Sequence, residues 1–238
     1  GEIAVSFKEC SDIISIVESP EFPANVTDWS VCTCIEWTIA HEAAKRGKLP
    51  HWFDQWELKT ITGWTVAHEA ALAGTLPNRF DKWELEDNYW HSVAHTAARH
   101  GRLPAGFDRW EIADKDGWTV AHEAARWDRL PDGFDKWYLT DKHGWTVAHE
   151  VAFYGRIPEG FDKWDLADSS GFTIAHAAAK RGYLPADFDR WELATKDGWT
   201  VAHEAARQGK LPAGFDRWDM KTQLGLTVAH VAEAFGHL

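Results

Sequence analysis

Cysteines, long apolar runs and basic residues are all scarce in this 238-residue chain. Its three cysteines, Cys10, Cys32 and Cys34, lie near the start, so a disulfide-held secreted scaffold is not expected; a cytoplasmic location, or delivery as an effector, fits better. No apolar run approaches the roughly 18 residues of a membrane span, and no signal-peptide core is visible. The 25 Lys and Arg against 37 Asp and Glu give a net charge of −12, which argues against nucleic acid or an anionic membrane as the main partner.

The chain is built from a 27-residue repeat that runs without insertion or deletion. Equal units of this kind are typical of arrays that grow by stacking, not of one enlarged core. We therefore predict one repeat domain over 1–238. It has a degenerate N-terminal capping repeat at 1–36 with a helix near 5–18, seven repeats at 37–225 and a C-terminal capping helix at 226–238. Eight histidines mark the repeat: His41, His68, His95, His122, His149, His176, His203 and His230.

Each unit opens with the signals of a helix. A Thr, or Ser92 in one copy, precedes Val/Ile-Ala-His and an alanine-rich run, and its hydroxyl predicts an N-cap. A Gly after the run predicts a left-handed helix end, and Asp128 in its place predicts a small strain cost. The Glu that follows the His in five copies suits the first helical turn and local pairing with Arg.

The second half of each unit contains Leu/Ile-Pro and then Phe-Asp-x-Trp-x-Leu. Pro suits a helix start, and Leu, Phe and Trp at spacings of four and three form an apolar face, which predicts a second short helix. No segment alternates with period two, so no strand is predicted. Seven of the sixteen tryptophans recur at one position, which predicts a layer of core: Trp56, Trp83, Trp110, Trp137, Trp164, Trp191 and Trp218.

The first half of the unit resembles an ankyrin repeat. Gly-x-Thr-x-x-His-x-Ala-Ala-x-x-Gly-x-Leu stands at Gly63–Leu76 and Gly198–Leu211, and with Asp128 for the second Gly at Gly117–Leu130. Thr-Val-Ala-His takes the place of the ankyrin Thr-Pro-Leu-His, and the period is 27 residues where ankyrins have about 33. The resemblance implies an all-α, helix-turn-helix solenoid of short ankyrin-like repeats, of bacterial or viral style.

The same resemblance implies a structural role for the eight histidines. In ankyrins the equivalent histidine bonds the Thr and the neighbouring backbone, so a buried ladder between units is expected here. A ladder of zinc sites is the sharper alternative, but neighbouring helices lie about 8–10 Å apart and no His-Glu-x-x-His is present. We expect neither a metal nor a cofactor.

Two sets of residues are candidates for a binding surface. An aromatic series precedes each His by four positions, and inter-repeat stacking and ligand contact both remain open for it: Trp37, Trp64, His91, Trp118, Trp145, Phe172, Trp199, then Leu226. Departures from the unit's consensus cluster in the middle third, where large aromatics are typical of interface anchors. We predict a partner-binding patch centred on Trp90, His91, Trp127 and Tyr154, together with Trp118, Trp145, Tyr138 and His143.

These patterns favour an interaction scaffold over an enzyme. No nucleophile with a nearby base recurs and no phosphate-binding loop is visible, so no catalytic residue is predicted. The expected partner is another protein, one with basic character given the charge of −12, bound along an acidic, aromatic-bearing concave face by a monomer or an oligomer. A glycan or small-ligand binder that uses the Trp ladder, and an inhibitor or effector that blocks a specific enzyme, are the alternatives.

Overall fold

The computed structural model describes residues 9–33 and 35–238. Residues 5–8 of the predicted capping helix and Cys34 lie outside this part of the chain. The described residues form α1 (Cys10–Glu18), α2 (Ile39–Lys45), α3 (Val66–Ala73), α4 (Val93–Arg99), α5 (Val120–Arg126), α6 (Val147–Phe153), α7 (Ile174–Arg181), α8 (Val201–Arg207) and α9 (Val228–Ala234). Consecutive helices pack against one another in tandem within two compact units, Gly1–Lys115 with α1 to α4 and Asp116–Leu238 with α5 to α9.

The all-α prediction is confirmed for the described part of the chain. It contains no strand, and its only ladder pairs are isolated antiparallel bridges such as Lys59 with Thr65, which close the turn before the helix of a 27-residue repeat. Among these helices, none combines the length and apolar character that crossing a bilayer requires.

The helix ends follow the sequence signals. At α5 the Thr119 hydroxyl accepts the backbone N–H of His122 at 3.3 Å, which satisfies one of the free donors of the first turn. At its other end the N–H of Arg129 donates to the carbonyl of Ala124 at 2.8 Å, a bond that requires a left-handed residue between them. Asp128 takes that position with φ of 59°, where the other copies place Gly.

The predicted second helix is wrong. Residues 50–58 form two single turns, closed by Phe53 N–H to Pro50 O at 3.0 Å and Leu58 N–H to Gln55 O at 3.3 Å. The helix is absent because this segment bonds to the next repeat. The N–H of Val66 donates to the carbonyl oxygen of Leu58 at 3.0 Å, and the N–H of Ala67 donates to the carbonyl oxygen of Trp56 at 3.2 Å. These bonds direct the carbonyls of Trp56 and Leu58 toward the next repeat, an orientation that turns allow and that a continuous helix, whose carbonyls point along its own axis, does not. Each repeat therefore has one helix and a turn-rich segment, so helix-turn-helix does not describe it.

The repeated tryptophans form the aromatic core of each unit. In Gly1–Lys115, Phe80 lies edge-on to Trp56 and Trp83 at 5.4 and 5.0 Å between ring centroids, and Trp83 lies edge-on to Phe107 at 5.3 Å. In Asp116–Leu238 the same edge-on alternation of Phe and Trp rings runs from Phe134 to Trp218. Edge-to-face rings at these distances attract one another beyond the area that they bury. The helix alanines are buried beside this core, which lets neighbouring helices approach closely.

The repeat histidines join consecutive 27-residue repeats. His149 Nδ1 lies 2.7 Å from Thr146 Oγ1 and accepts the Thr146 N–H at 3.1 Å, while its Nε2 lies 2.9 Å from the carbonyl oxygen of Phe172 in the next unit. Because a carbonyl only accepts, the ring proton is on Nε2. The same three contacts recur at His41, His68, His122, His176 and His203.

These histidines are held neutral. Burial lowers the pKa of His41 and of His122 to about 4 from an ordinary 6.5, although the carbonyl bond acts in the opposite direction. Burial also lowers the pKa of the other histidines with this pattern, His68, His149, His176 and His203. His95 shares the contact with its N-cap Ser92, whereas His230 is exposed. Within the described residues, no group of three or more His, Cys, Asp or Glu side chains is placed to hold a metal ion.

Candidate functional site

An open groove in the unit Asp116–Leu238 brings several candidate residues together. We call it the aromatic groove; it encloses about 410 Å³. Four of the eight predicted partner-binding residues line it, namely Trp118, His143, Trp145 and Tyr154. Its other lining residues are Arg126, Asp141, Glu150, Phe153 and Asp168.

The two tryptophans of the groove are fixed by the helices that follow them. Trp145 lies over His149 with 4.8 Å between ring centroids, and its Nε1–H donates to Glu150 Oε2 at 2.9 Å. Trp118 lies over His122 at 4.7 Å and donates in the same way to Glu123 at 3.0 Å. Each indole is thus held by two side chains of its own unit, which leaves it half-buried at the surface.

The glutamate partners of these indoles are buried, which sequence reasoning missed. All five glutamates of this position are 3–6% exposed, and each accepts the indole N–H of the Trp five residues earlier. The signal was present in the sequence. Trp and Glu occur together in five units, and where Trp is replaced Glu is replaced too, giving the pairs His91 and Thr96, Phe172 and Ala177, and Leu226 and Val231.

Arg126 forms the basic part of the aromatic groove. Its guanidinium lies 4.3 Å from the centroid of the Trp118 ring, and its Nε donates to Glu150 Oε1 at 2.8 Å. Burial opposes the charged form, but the bond to Glu150 and the nearby carboxylates raise the pKa of Arg126 overall, so it stays protonated. One arginine therefore satisfies both a tryptophan face and a buried carboxylate.

Two aspartates stand at the rim of the aromatic groove. Asp141 Oδ1 accepts the backbone N–H groups of His143 at 2.8 Å and Trp145 at 2.9 Å. Asp168 Oδ1 does the same for Ser170 at 2.8 Å and Phe172 at 3.0 Å. Asp141 thus organises the turn that presents His143 and Trp145, and Asp168 organises the turn that precedes Phe172.

No family model and no curated protein matches this chain. Its function is therefore inferred from the chemistry of its own surface.

The other predicted residues lie outside the aromatic groove. Trp127 is half-exposed and donates its Nε1–H to Glu123 Oε1 at 3.0 Å. Tyr138 is exposed at a position where other copies have an acid that pairs with the next unit, as Asp165 does with Arg190 at 3.6 Å.

Trp90 and His91 belong to the unit Gly1–Lys115. Trp90 has φ of 71° at a position where most other repeats have a left-handed Gly and one has Glu36 with φ of 59°, and the Lys115 ammonium lies 5.7 Å from the Trp90 ring centroid. His91 Nδ1 lies 3.6 Å from Asp87 Oδ2.

Proposed function

We propose that this chain is a non-enzymatic interaction module that binds a partner protein at the aromatic groove. The observation that supports it best is the meeting of Trp118, Trp145, Phe153 and Tyr154 in one open depression. In most other copies the position of Phe153 holds Lys or Arg, and the position of Tyr154 varies among Arg, Ala, His, Trp, Gln and Phe, so these aromatics are not required by the repeat. Aromatic side chains beside charged groups are typical of the residues that dominate binding energy at protein interfaces.

We also interpret the first half of the unit as ankyrin-like. The order Thr-x-x-His, the N-cap bond and the contact of His149 with the next unit support this interpretation. The single helix per unit and the 27-residue period speak against a close relationship. Even membership of the ankyrin family would not identify the partner, which has to be inferred from the chemistry of the site.

A saccharide platform built on the repeated tryptophans finds less support. The second-half series packs edge-on against phenylalanines within each unit, so its rings are already engaged, as at Trp191 between Phe188 and Phe215. A platform for a sugar ring requires faces that are open to solvent. The half-buried tryptophans that precede the helices, such as Trp118 and Trp145, are better placed for such a role.

Photo-crosslinking from the aromatic groove tests the proposal. We expect benzoylphenylalanine at position 154 to capture a discrete partner in the source cells, and Tyr154→Ala to weaken the purified complex by roughly tenfold or more. Tyr154 is only half-buried, so the melting temperature should change little.

Tyr183 supplies the matched control because it is an exposed tyrosine of the same unit and does not line the groove. Benzoylphenylalanine at position 183 should capture no partner, and Tyr183→Ala should leave affinity unchanged. Trp127→Ala separates the groove from the wider patch predicted from the sequence. Equal capture from positions 154 and 183, or full affinity in Tyr154→Ala, would refute a groove-centred interaction.

A further inference from the structure

The five buried glutamates differ in what their second oxygen contacts. Oε2 always accepts the indole N–H, and in four units Oε1 accepts another donor of this chain. Glu42 accepts Arg46 Nε at 2.5 Å, Glu123 accepts Trp127 Nε1 at 3.0 Å, Glu150 accepts Arg126 Nε at 2.8 Å and Glu204 accepts Gln208 Nε2 at 3.4 Å. The chain therefore shows which chemistry this oxygen selects, namely a planar N–H donor.

Glu69 is the exception. Its Oε2 accepts Trp64 Nε1 at 3.0 Å, but its Oε1 accepts no hydrogen bond from the described residues, although the residue is only 6% exposed. The donor position of α2, α5 and α8 is filled in α3 by Ala73, which has no N–H to offer from its side chain. Burial raises the pKa of the Glu69 carboxyl, while the Trp64 bond and the charge of Lys45 act the other way.

The surroundings of Glu69 do not supply the missing donor. Lys45 stands where Arg126 stands relative to Glu150, yet it forms no ion pair with Glu69 within the described part of the chain. Leu72, at the neighbouring surface position of α3, is an exposed leucine where most other units have Lys or Arg. The charge of Lys45 acts on Glu69 from a distance, so Oε1 of this mostly buried carboxylate has a nearby cation but no hydrogen-bond donor among the described residues, and it stays open to solvent.

We propose that Trp64, Glu69 and Leu72 form a binding site for an arginine side chain of a partner protein. The guanidinium donates to Glu69 Oε1 and its stem covers Leu72. Two arginines of this chain already bind the equivalent oxygen. Arg46 donates to Glu42 of its own repeat, and Arg126 donates to Glu150 of the following repeat while it lies over Trp118 of its own. Arginine fits better than lysine because its planar fork stacks on an indole while it donates in the ring plane. This site lies in the unit Gly1–Lys115 and does not depend on the aromatic groove.

A short peptide with one arginine, N-acetyl-Gly-Arg-Gly-amide, is the probe, and its lysine counterpart is the reference. Titration of carboxyl-labelled protein by NMR at physiological salt should shift the Glu69 resonance with the arginine peptide at least several-fold more strongly than with the lysine peptide. Glu69→Gln keeps an acceptor for Trp64 and removes the charge, and should weaken arginine binding by about tenfold.

Ala73→Arg is the decisive variant because it places an intramolecular arginine four residues after Glu69, as Arg46 follows Glu42. It should abolish peptide binding while the fold is retained. Gln208→Arg adds the same charge at the same helix position of another unit and should leave binding intact. Lys45→Gln should leave it intact or strengthen it.

Three outcomes would overturn the proposal. These are equal shifts with arginine and lysine peptides, equal loss of binding in Ala73→Arg and Gln208→Arg, or no shift of Glu69 with the arginine peptide. In each case the peptide would be responding to the net charge of −12 or to nothing at all.

Discussion

At the scale of single residues, the pairing of an indole with a buried carboxylate determines which substitutions the repeat accepts. Glu204 is 3% exposed and receives the N–H of Trp199 at 3.0 Å. A buried carboxylate that loses a donor is costly, whereas replacing both partners with apolar groups need not be. The preceding unit does this, with Phe172 and Ala177 at the two positions.

A double-mutant cycle tests this coupling. Trp199→Phe alone should lower the free energy of unfolding by about 1–3 kcal/mol, because Glu204 stays buried without its indole donor. Adding Glu204→Ala, which copies the Phe172 and Ala177 pair, should recover about 1 kcal/mol or more relative to the sum of the single effects. Urea denaturation of the wild type, the two single variants and the double variant measures the coupling energy between the two residues. Strict additivity of the two single effects would rule out the coupling.

The core tryptophans make a second prediction at this scale. Trp83 is 7% exposed and lies edge-on to Phe80 and Phe107. Trp83→Ala should lower the free energy of unfolding by about 3–5 kcal/mol, through lost burial and the cavity that remains. Tyr89→Ala, an exposed aromatic of the same unit, should change it by less than about 0.5 kcal/mol in the same denaturation assay. Similar losses in both variants would refute a core role for Trp83.

At the scale of the element, the first half of each unit was predictable and the second was not. Thr119, His122 and the left-handed position of Asp128 act within one helix, so local spacing identifies them. The second half has a proline and an apolar spacing that match a helix equally well. Its actual turns are dictated by the next unit, whose first N–H groups bond the carbonyls of Trp56 and Leu58, and no local pattern encodes that contact.

The residues of the aromatic groove likewise divide into those that the sequence identified and those that it did not. Tyr154 was identified because it departs from the consensus of the repeat, and Trp145 because it belongs to a periodic aromatic series. Arg126 was missed because its role depends on its bond to Glu150 of the next repeat, and Asp168 because it reaches a groove whose other lining residues all lie earlier in the chain. Departures from a repeat are visible in sequence, whereas contacts between repeats require coordinates.

The helix end at Asp128 makes a prediction for one element. Asp128 has φ of 59°, a conformation that glycine adopts without the steric cost of a side chain. Asp128→Gly should raise the free energy of unfolding by about 0.5–1 kcal/mol, because it relieves that steric cost. The 3.8 Å contact with Arg156 that the substitution removes is exposed and weak, so its loss subtracts little. Thermal and urea unfolding measure the change. Gly209→Asp, the reverse change at φ of 65°, should destabilise by at least as much, because its Cβ would also meet the His237 ring at 2.7 Å, and a stabilising effect there would contradict the argument.

At the scale of the whole molecule, the histidines couple folding to pH. The folded pKa of His41 and of His122 is about 4, below the ordinary 6.5, so the unfolded chain binds more protons between these values. Their contribution is fully present above about pH 6.5 and is lost as the pH falls toward 4, on the order of 3 kcal/mol for each. Burial lowers the pKa of His68, His149, His176 and His203 too, so these residues act in the same direction.

We therefore expect a steep loss of stability in mild acid, before most carboxylates titrate. Glu69 opposes this loss of stability slightly, because a carboxyl with a raised pKa in the folded state stabilises that state as it protonates. Glu69 is a single group, however, and six buried histidines act in the other direction. Urea denaturation at pH 7.5, 6.0 and 5.0 should give a falling midpoint, and His230→Gln should fall in parallel because His230 is exposed. His149→Gln should start lower and fall less steeply, since one proton-binding difference is removed. A midpoint that stays flat from pH 7.5 to 5.0 would mean that the histidines are not buried as neutral links between units.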